Sequence, residues 1–85
     1  MIKKIAESEY TTVVYESPHR ILKLLTAFSK IIPDRQMVIA RELTKMFEEV
    51  KSGTPNGLLA YYAQNPDHVR GEFVVIVSKN SIVKA

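Results

Sequence analysis

Apolar residues along the chain fall into runs whose spacing alternates between strand-like and helix-like, and prolines and glycines mark most of the changes. The stretch "TTVVY", Thr11 to Tyr15, is β-branched and aromatic throughout, which predicts a strand from Thr11 to about Glu16 buried on both faces. Ile21, Leu24, Leu25, Phe28 and Ile32 then recur at three and four residues, the stripe of an amphipathic helix. Ser17 offers a capping hydroxyl and Pro18 a preset first-turn φ, so the helix is expected to begin at once after the strand. Pro33, Asp34 and Arg35 end it. Met37 to Ala40 form the apolar centre of a second strand with a polar exit at Arg41 and Glu42, and Phe47 to Gly53 return as a third. Thr54 and Pro55 repeat the cap-then-proline order. Asn56 and Gly57 would alternatively close a hairpin, but Leu58, Leu59, Tyr62 and Ala63 follow at helical spacing and favour a helix. "QNPDHVRG" reads as a loop and "EFVVIVS" as the last strand.

The order is βαββαβ, which predicts an α/β fold: a mixed β-sheet with flanking helices, or a split βαβ arrangement. Ile2, Ile5 and Ala6 have the spacing of a helix face without a cap before it. Residues 1–10 are therefore expected to be the end of a truncated helix or a linker, 11–79 the α/β domain and 80–85 a tail.

Composition narrows the class. Eighty-five residues, 46% hydrophobic and 25% charged, describe one small folded domain, of a size that buries only about 60% of its unfolded surface. Without cysteine there is no disulfide framework to compensate, and the absence fits a reducing cytoplasm. No apolar run approaches the roughly 18 residues of a membrane span. A net charge of +3 permits a nucleic-acid partner without requiring one, because the twelve Lys and Arg residues are scattered.

The candidate chemistry collects at two strand ends. His19 and His68 lie on separate elements without metal-ligand spacing, and Gly53, Gly57 and Gly71 form no phosphate loop. "ESPHR", Glu16 to Arg20, sits where the first strand passes into a helix, a position suited to an anion. On the residues alone, the structural alternative is favoured: Ser17 caps, Pro18 starts the helix and Glu16 pairs with Arg20. "ARELTK", Ala40 to Lys45, is similar in character, and if strands one and two run parallel both clusters fall on one edge of the sheet. Its alternative is an exposed hairpin with an Arg41–Glu42 or Lys45–Glu48 pair worth under about 1 kcal/mol. Tyr62 is expected in the core with Tyr61 partly exposed. Of Glu48 and Glu49, only one can face the same site, since neighbours on a strand point opposite ways.

Taken in order, "YESPHR", "ARELTK", "EEV", "GT" and "GEFVVIV" resemble the C-terminal domain of the bacterial small-subunit ribosomal RNA (cytidine-2′-O)-methyltransferase I family, within the tetrapyrrole methylase superfamily. The resemblance covers nearly the whole chain. It implies an S-adenosylmethionine-dependent methyltransferase of two α/β domains with the cofactor between them, the glycine-rich cofactor loops belonging to an N-terminal domain that this sequence lacks. It implies cofactor contacts at Ala40, Arg41, Glu42 and Leu43; for the transfer chemistry so implied, Ser17, Arg20, Arg41 and Lys45 are candidate substrate contacts and His19 or Glu16 candidate catalytic acceptors of the ribose hydroxyl proton. The implied partners are ribosomal RNA or the small ribosomal subunit, the missing N-terminal domain and a second copy in a homodimer, in the cytoplasm and without a membrane. The isolated domain is expected to be inactive. Phe47 stands where the family frequently carries His or another aromatic, so no catalytic role is assigned there. Two other readings stay open: a tetrapyrrole (corrin or porphyrin) methylase domain, and a non-catalytic RNA-binding or dimerisation module.

Overall fold

A four-stranded sheet with helices packed on one face accounts for the residues that the computed structural model describes, 2–43 and 46–79. The elements are α1 (Ile2–Glu7), β1 (Thr12–Glu16), α2 (Ile21–Ile31), β2 (Met37–Leu43), β3 (Met46–Gly53), α3 (Pro55–Gln64), a 3-10 turn (Pro66–His68) and β4 (Glu72–Val77). The expected tail, 80–85, lies outside the described residues.

Strand order is β1-β4-β2-β3, with every neighbouring pair antiparallel. The α/β class and the βαββαβ order follow the sequence pattern. The sheet is antiparallel in the split βαβ form rather than mixed: β1 and β2 run the same way, but β4 lies between them. Helix width explains the gap. A helix about 10 Å across covers roughly two strand spacings of about 4.8 Å, so the crossover through α2 leaves room for one strand, and the apolar β4 fills it.

The core lies between the sheet and its helices. From α2 come Ile21, Leu24, Leu25 and Phe28, with Ile32 just beyond; from α3, Leu58 and Tyr62; from the sheet, Met37, Ile39, Phe73, Val75 and Val77. Ile5 of α1 joins the same cluster, so residues 2–7 include a core contact. Full burial of each large side chain contributes about 1.5–3 kcal/mol.

Among the described residues nothing covers the opposite face of the sheet, and the exposure of β1 there overturns the expectation that it is buried on both faces. Burial alternates along β1, and Val13 and Tyr15 are 51% and 75% exposed. Helices cover only one side of the sheet and β1 is an edge strand, so alternate residues meet solvent. Across the sheet, Tyr15, Val74, Ala40 and Val50 form one cross-strand row and Val13, Ile76 and Val38 the next. The result is a contiguous apolar surface.

The two cap-then-proline signals have different outcomes. Thr54 caps α3: its Oγ1 accepts the Gly57 N–H at 3.3 Å, and Pro55 is the first helical residue. Ser17 does not cap α2. Its carbonyl accepts the N–H groups of Arg20 at 3.1 Å and Ile21 at 3.0 Å, so residues 17–20 form a turn and α2 starts at Ile21 behind an Arg20 with no capping side-chain bond. Glu16 is the physical reason. Its carboxylate takes the Ser17 N–H at 3.1 Å and lies 3.6 Å from Arg20 Nε, folding the chain back at the strand end before the helix begins.

Candidate functional site

Strand register builds the site. Phe73 of β4 lies opposite Glu16 of β1 on one side and Arg41 of β2 on the other, and Arg41 lies opposite Glu49 of β3. Directly opposed residues share a face, and Phe73 is fully buried beneath the helices. Glu16, Phe73, Arg41 and Glu49 therefore form one row across the helix-covered face, at the carboxyl ends of the parallel strands β1 and β2. Glu16 of "YESPHR" and Arg41 of "ARELTK" share an edge, their backbones roughly 10 Å apart at two strand spacings.

The residues expected at this edge differ in accessibility. Arg20 has a side chain 75% exposed while Glu16 retains 15%, so their ion pair contributes under about 1 kcal/mol. His19 is exposed and makes no hydrogen bond among the described residues. Ser17 is half-buried in the turn. Arg41 is only 5% exposed, and its Nε lies 3.4 Å from Glu49 Oε1. Its partner is thus Glu49 rather than the neighbouring Glu42. Lys45 lies outside the described residues. Ala40 faces the opposite side of the sheet from Arg41, and Glu42 is half-buried.

A β-bulge in β3 lies opposite the Arg41–Glu42 step of the Ala40 to Leu43 segment. Arg41 pairs with Glu49, but Glu42 pairs with Phe47, so the register slips between Arg41 and Glu42 and Glu48 becomes the extra residue. A bulge of this kind interrupts the ladder, bends the strand and re-aims its side chains.

Three residues that the sequence did not single out as a group complete the row's far end. Glu49 Oε2 accepts the Tyr61 hydroxyl proton and lies 3.1 Å from His68 Nδ1, which is itself 3.0 Å from the Tyr61 hydroxyl. With the Tyr61 proton directed at Glu49, a proton on His68 Nδ1 satisfies both the carboxylate and the phenol oxygen. Lys51 Nζ sits 4.4 Å from the Tyr61 ring centroid. Edge-to-face contacts continue from Tyr61 to Tyr62 at 5.1 Å and from Tyr62 to Phe73 at 5.8 Å, joining this cluster to the centre of the row. As the sequence pattern predicts, Tyr62 is core and Tyr61 partly exposed.

The electrostatics follow from the contacts. Burial pulls the Glu49 carboxyl upward, but hydrogen bonds from Tyr61, His68 and Arg41, with the charge of His68, outweigh it and hold the group below its ordinary 4.5. The bond to Glu49 raises the Tyr61 phenol above 10.0, with burial adding to it, and burial pushes Tyr62 up to about 12. Among the described residues, Arg41 Nη1 and the Tyr62 hydroxyl are buried without a hydrogen-bond partner.

Comparison with known proteins supplies a lineage. No family model matches the chain. The ribosomal RNA small subunit methyltransferase I of Erythrobacter litoralis is 40% identical over 77 residues, covering 91% of this chain and 27% of that protein. The protein of the same name from Borrelia garinii is 42% identical over 82 residues, 93% of this chain and 37% of its own length. That from Coprothermobacter proteolyticus reaches 45% over 65 residues, 76% of this chain and 27% of its length. The chain therefore spans between about a quarter and two-fifths of the length of these relatives. With Glu16, Arg41 and Phe73 of "YESPHR", "ARELTK" and "GEFVVIV" brought into one row of one sheet, and with identity running through most of its length, this chain belongs to the ribosomal RNA small subunit methyltransferase I family.

Proposed function

We propose that the chain is the C-terminal domain of an S-adenosylmethionine-dependent methyltransferase that modifies a cytidine ribose 2′-hydroxyl of small-subunit ribosomal RNA. It acts with an N-terminal domain across a shared cleft, in the cytoplasm, as a homodimer, and is inactive alone. The observation that carries this reading is the row in which Glu16 and Arg41 flank Phe73, two family-like motifs on one edge, in a chain whose relatives bear a ribosomal RNA methyltransferase name.

The Ala40 to Leu43 segment fits one wall of a cofactor site. The bulge in β3 lies opposite Arg41 and Glu42 and interrupts the regular ladder there, β2 runs on to Leu43 past its pairing with β4, and Ala40 adds almost no bulk beside an adenosyl group. When bound, S-adenosylmethionine supplies an electrophilic methyl group. The chain's own residues orient the acceptor. Arg20, with its exposed guanidinium, and Lys45 hold RNA phosphates, contacts that position the substrate without reading its bases. Ser17, in the same turn, contributes to substrate contact. His19 or Glu16 would accept the proton that the ribose hydroxyl gives up on methylation. His19 is the freer of the two, since Glu16 is engaged by Ser17 and Arg20. Alignment of donor and acceptor contributes several kcal/mol of the barrier reduction.

The test joins this chain to the N-terminal region of a relative and supplies small ribosomal subunits with S-adenosylmethionine. Formation of 2′-O-methylcytidine, reduced at least tenfold by Arg20→Ala, is the expected result. Wild-type turnover and RNA affinity in Arg20→Ala would remove the substrate assignment, and methylation of a porphyrinoid with none of RNA would overturn the substrate class.

A further inference from the structure

The bulge at Arg41 and Glu42 is a weak point in the ladder at the place where the proposed function requires a fixed shape. Glu49 is the last paired residue of β3 before it on the Gly53 side, and its carboxylate is divided between two tasks. Oε1 meets Arg41 Nε; Oε2 meets Tyr61 and His68, from α3 and the 3-10 turn. We propose that Tyr61 and His68 are positioning residues for the Ala40 to Leu43 segment: through Glu49 they hold Arg41, and with it the bulge, in the form that receives S-adenosylmethionine. The cofactor part rests on the function proposed above.

Three features favour positioning over simple stabilisation. An apolar cluster of the same volume would stabilise this part of the core as well or better, because a buried ion pair rarely repays its desolvation. What the polar network adds is direction, since each hydrogen bond fixes both distance and angle. The clamp is also over-determined. Two donors from elements remote in sequence hold a single carboxylate oxygen, and Lys51 over the ring restrains Tyr61 in turn. Finally, the restraint reaches the bulge from the side opposite the cleft edge occupied by Glu16, so it shapes the segment without occupying the space a ligand needs.

The experiment uses the protein containing this chain joined to the N-terminal region of a relative, with Tyr61→Phe, His68→Leu, His68→Asn and Tyr62→Phe variants. Amide hydrogen exchange at residues 40–43, referenced to residues 74–77, reports the segment without ligand; titration with S-adenosylmethionine reports its affinity. Tyr61→Phe and His68→Leu are expected to speed exchange at 40–43 at least fivefold and to weaken cofactor binding three- to thirtyfold, with kcat at saturating cofactor within twofold of wild type. His68→Asn, whose amide N–H replaces Nδ1–H, is expected to recover most of both. Tyr62→Phe, which lacks any bond to Glu49, changes neither. Lowered melting temperatures with exchange and affinity at wild-type values would overturn the proposal and leave the network structural. Failure of the unsubstituted protein to bind S-adenosylmethionine would instead overturn the functional reading, while the exchange data would still decide whether the clamp shapes the bulge.

Discussion

Replacing Glu49 with leucine removes the carboxylate while leaving Arg41 in place. Arg41 has a side chain 6% exposed, and Glu49 is its only ion-pair partner among the described residues. With Nη1 already unpartnered, loss of Oε1 strands Nε as well, and the guanidinium keeps its charge because it does not deprotonate in proteins. Breaking a buried pair from one side costs about 3–5 kcal/mol. An 85-residue domain has about 4–13 kcal/mol in total at roughly 0.05–0.15 kcal/mol per residue. The variant should therefore lose about a quarter or more of its stability, and its melting temperature should fall by at least about 12 °C. The paired variant Arg41→Met with Glu49→Leu removes both charges, and Tyr61 and His68 keep each other at 3.0 Å; it should recover most of the loss. Urea unfolding followed by far-ultraviolet circular dichroism measures both, at unchanged m-value. A single variant within 1 kcal/mol of wild type, or a double variant no better than the single, would refute the argument that a buried charge pair governs this end of the sheet.

Tyr62→Phe should leave stability unchanged or raise it by about 1 kcal/mol, because the hydroxyl it removes is buried without a partner; thermal unfolding checks this, and a fall of more than 1 kcal/mol would contradict it. Glu49 has a folded-state value below its ordinary 4.5, so its contribution is fully present above the unfolded carboxyl value and is lost as pH falls through the folded one. Urea midpoints measured from pH 7 down to pH 2 should drop more steeply below about 4.5 in wild type than in the Arg41→Met, Glu49→Leu protein. Tyr15→Lys places a charge in the middle of the uncovered apolar face, where Tyr15 is 75% exposed; sedimentation should show weaker self-association than wild type with stability within about 0.5 kcal/mol.

The residue pattern carried the order of elements, though not the order of strands in the sheet, because the decisive signals were local. Period-two and period-three-to-four runs marked the elements, and Thr54 with Pro55 marked a true cap. The parallel relation of β1 and β2, entertained from their shared polar exits, needed only the short crossover through α2. What stayed hidden depends on distance along the chain. Glu49, Tyr61 and His68 are separated by loops and belong to three elements, and no local spacing announces a contact between them. One signal was present: counting back by twos from Gly53 puts Lys51 and Glu49 on a common face, so Glu49, not Glu48, is the member of "EE" on the Arg41 face. Ser17 misled for an electrostatic reason. A cap reading weighs Ser17 and Pro18 alone, whereas Glu16 and Arg20 on either side form their own contact and convert the helix start into a turn. The buried reading of β1 failed because a run such as "TTVVY" describes affinity for a sheet without saying how many of its faces are covered.

The most direct test of the account is mass spectrometry of small-subunit RNA after incubation with S-adenosylmethionine and this chain joined to an N-terminal region from its family. The account predicts 2′-O-methylcytidine from the joined protein and none from the 85 residues alone. Absence of the modification from a folded, cofactor-binding joined protein, or its appearance with the isolated chain, would contradict the claim that this edge is one wall of a two-walled site.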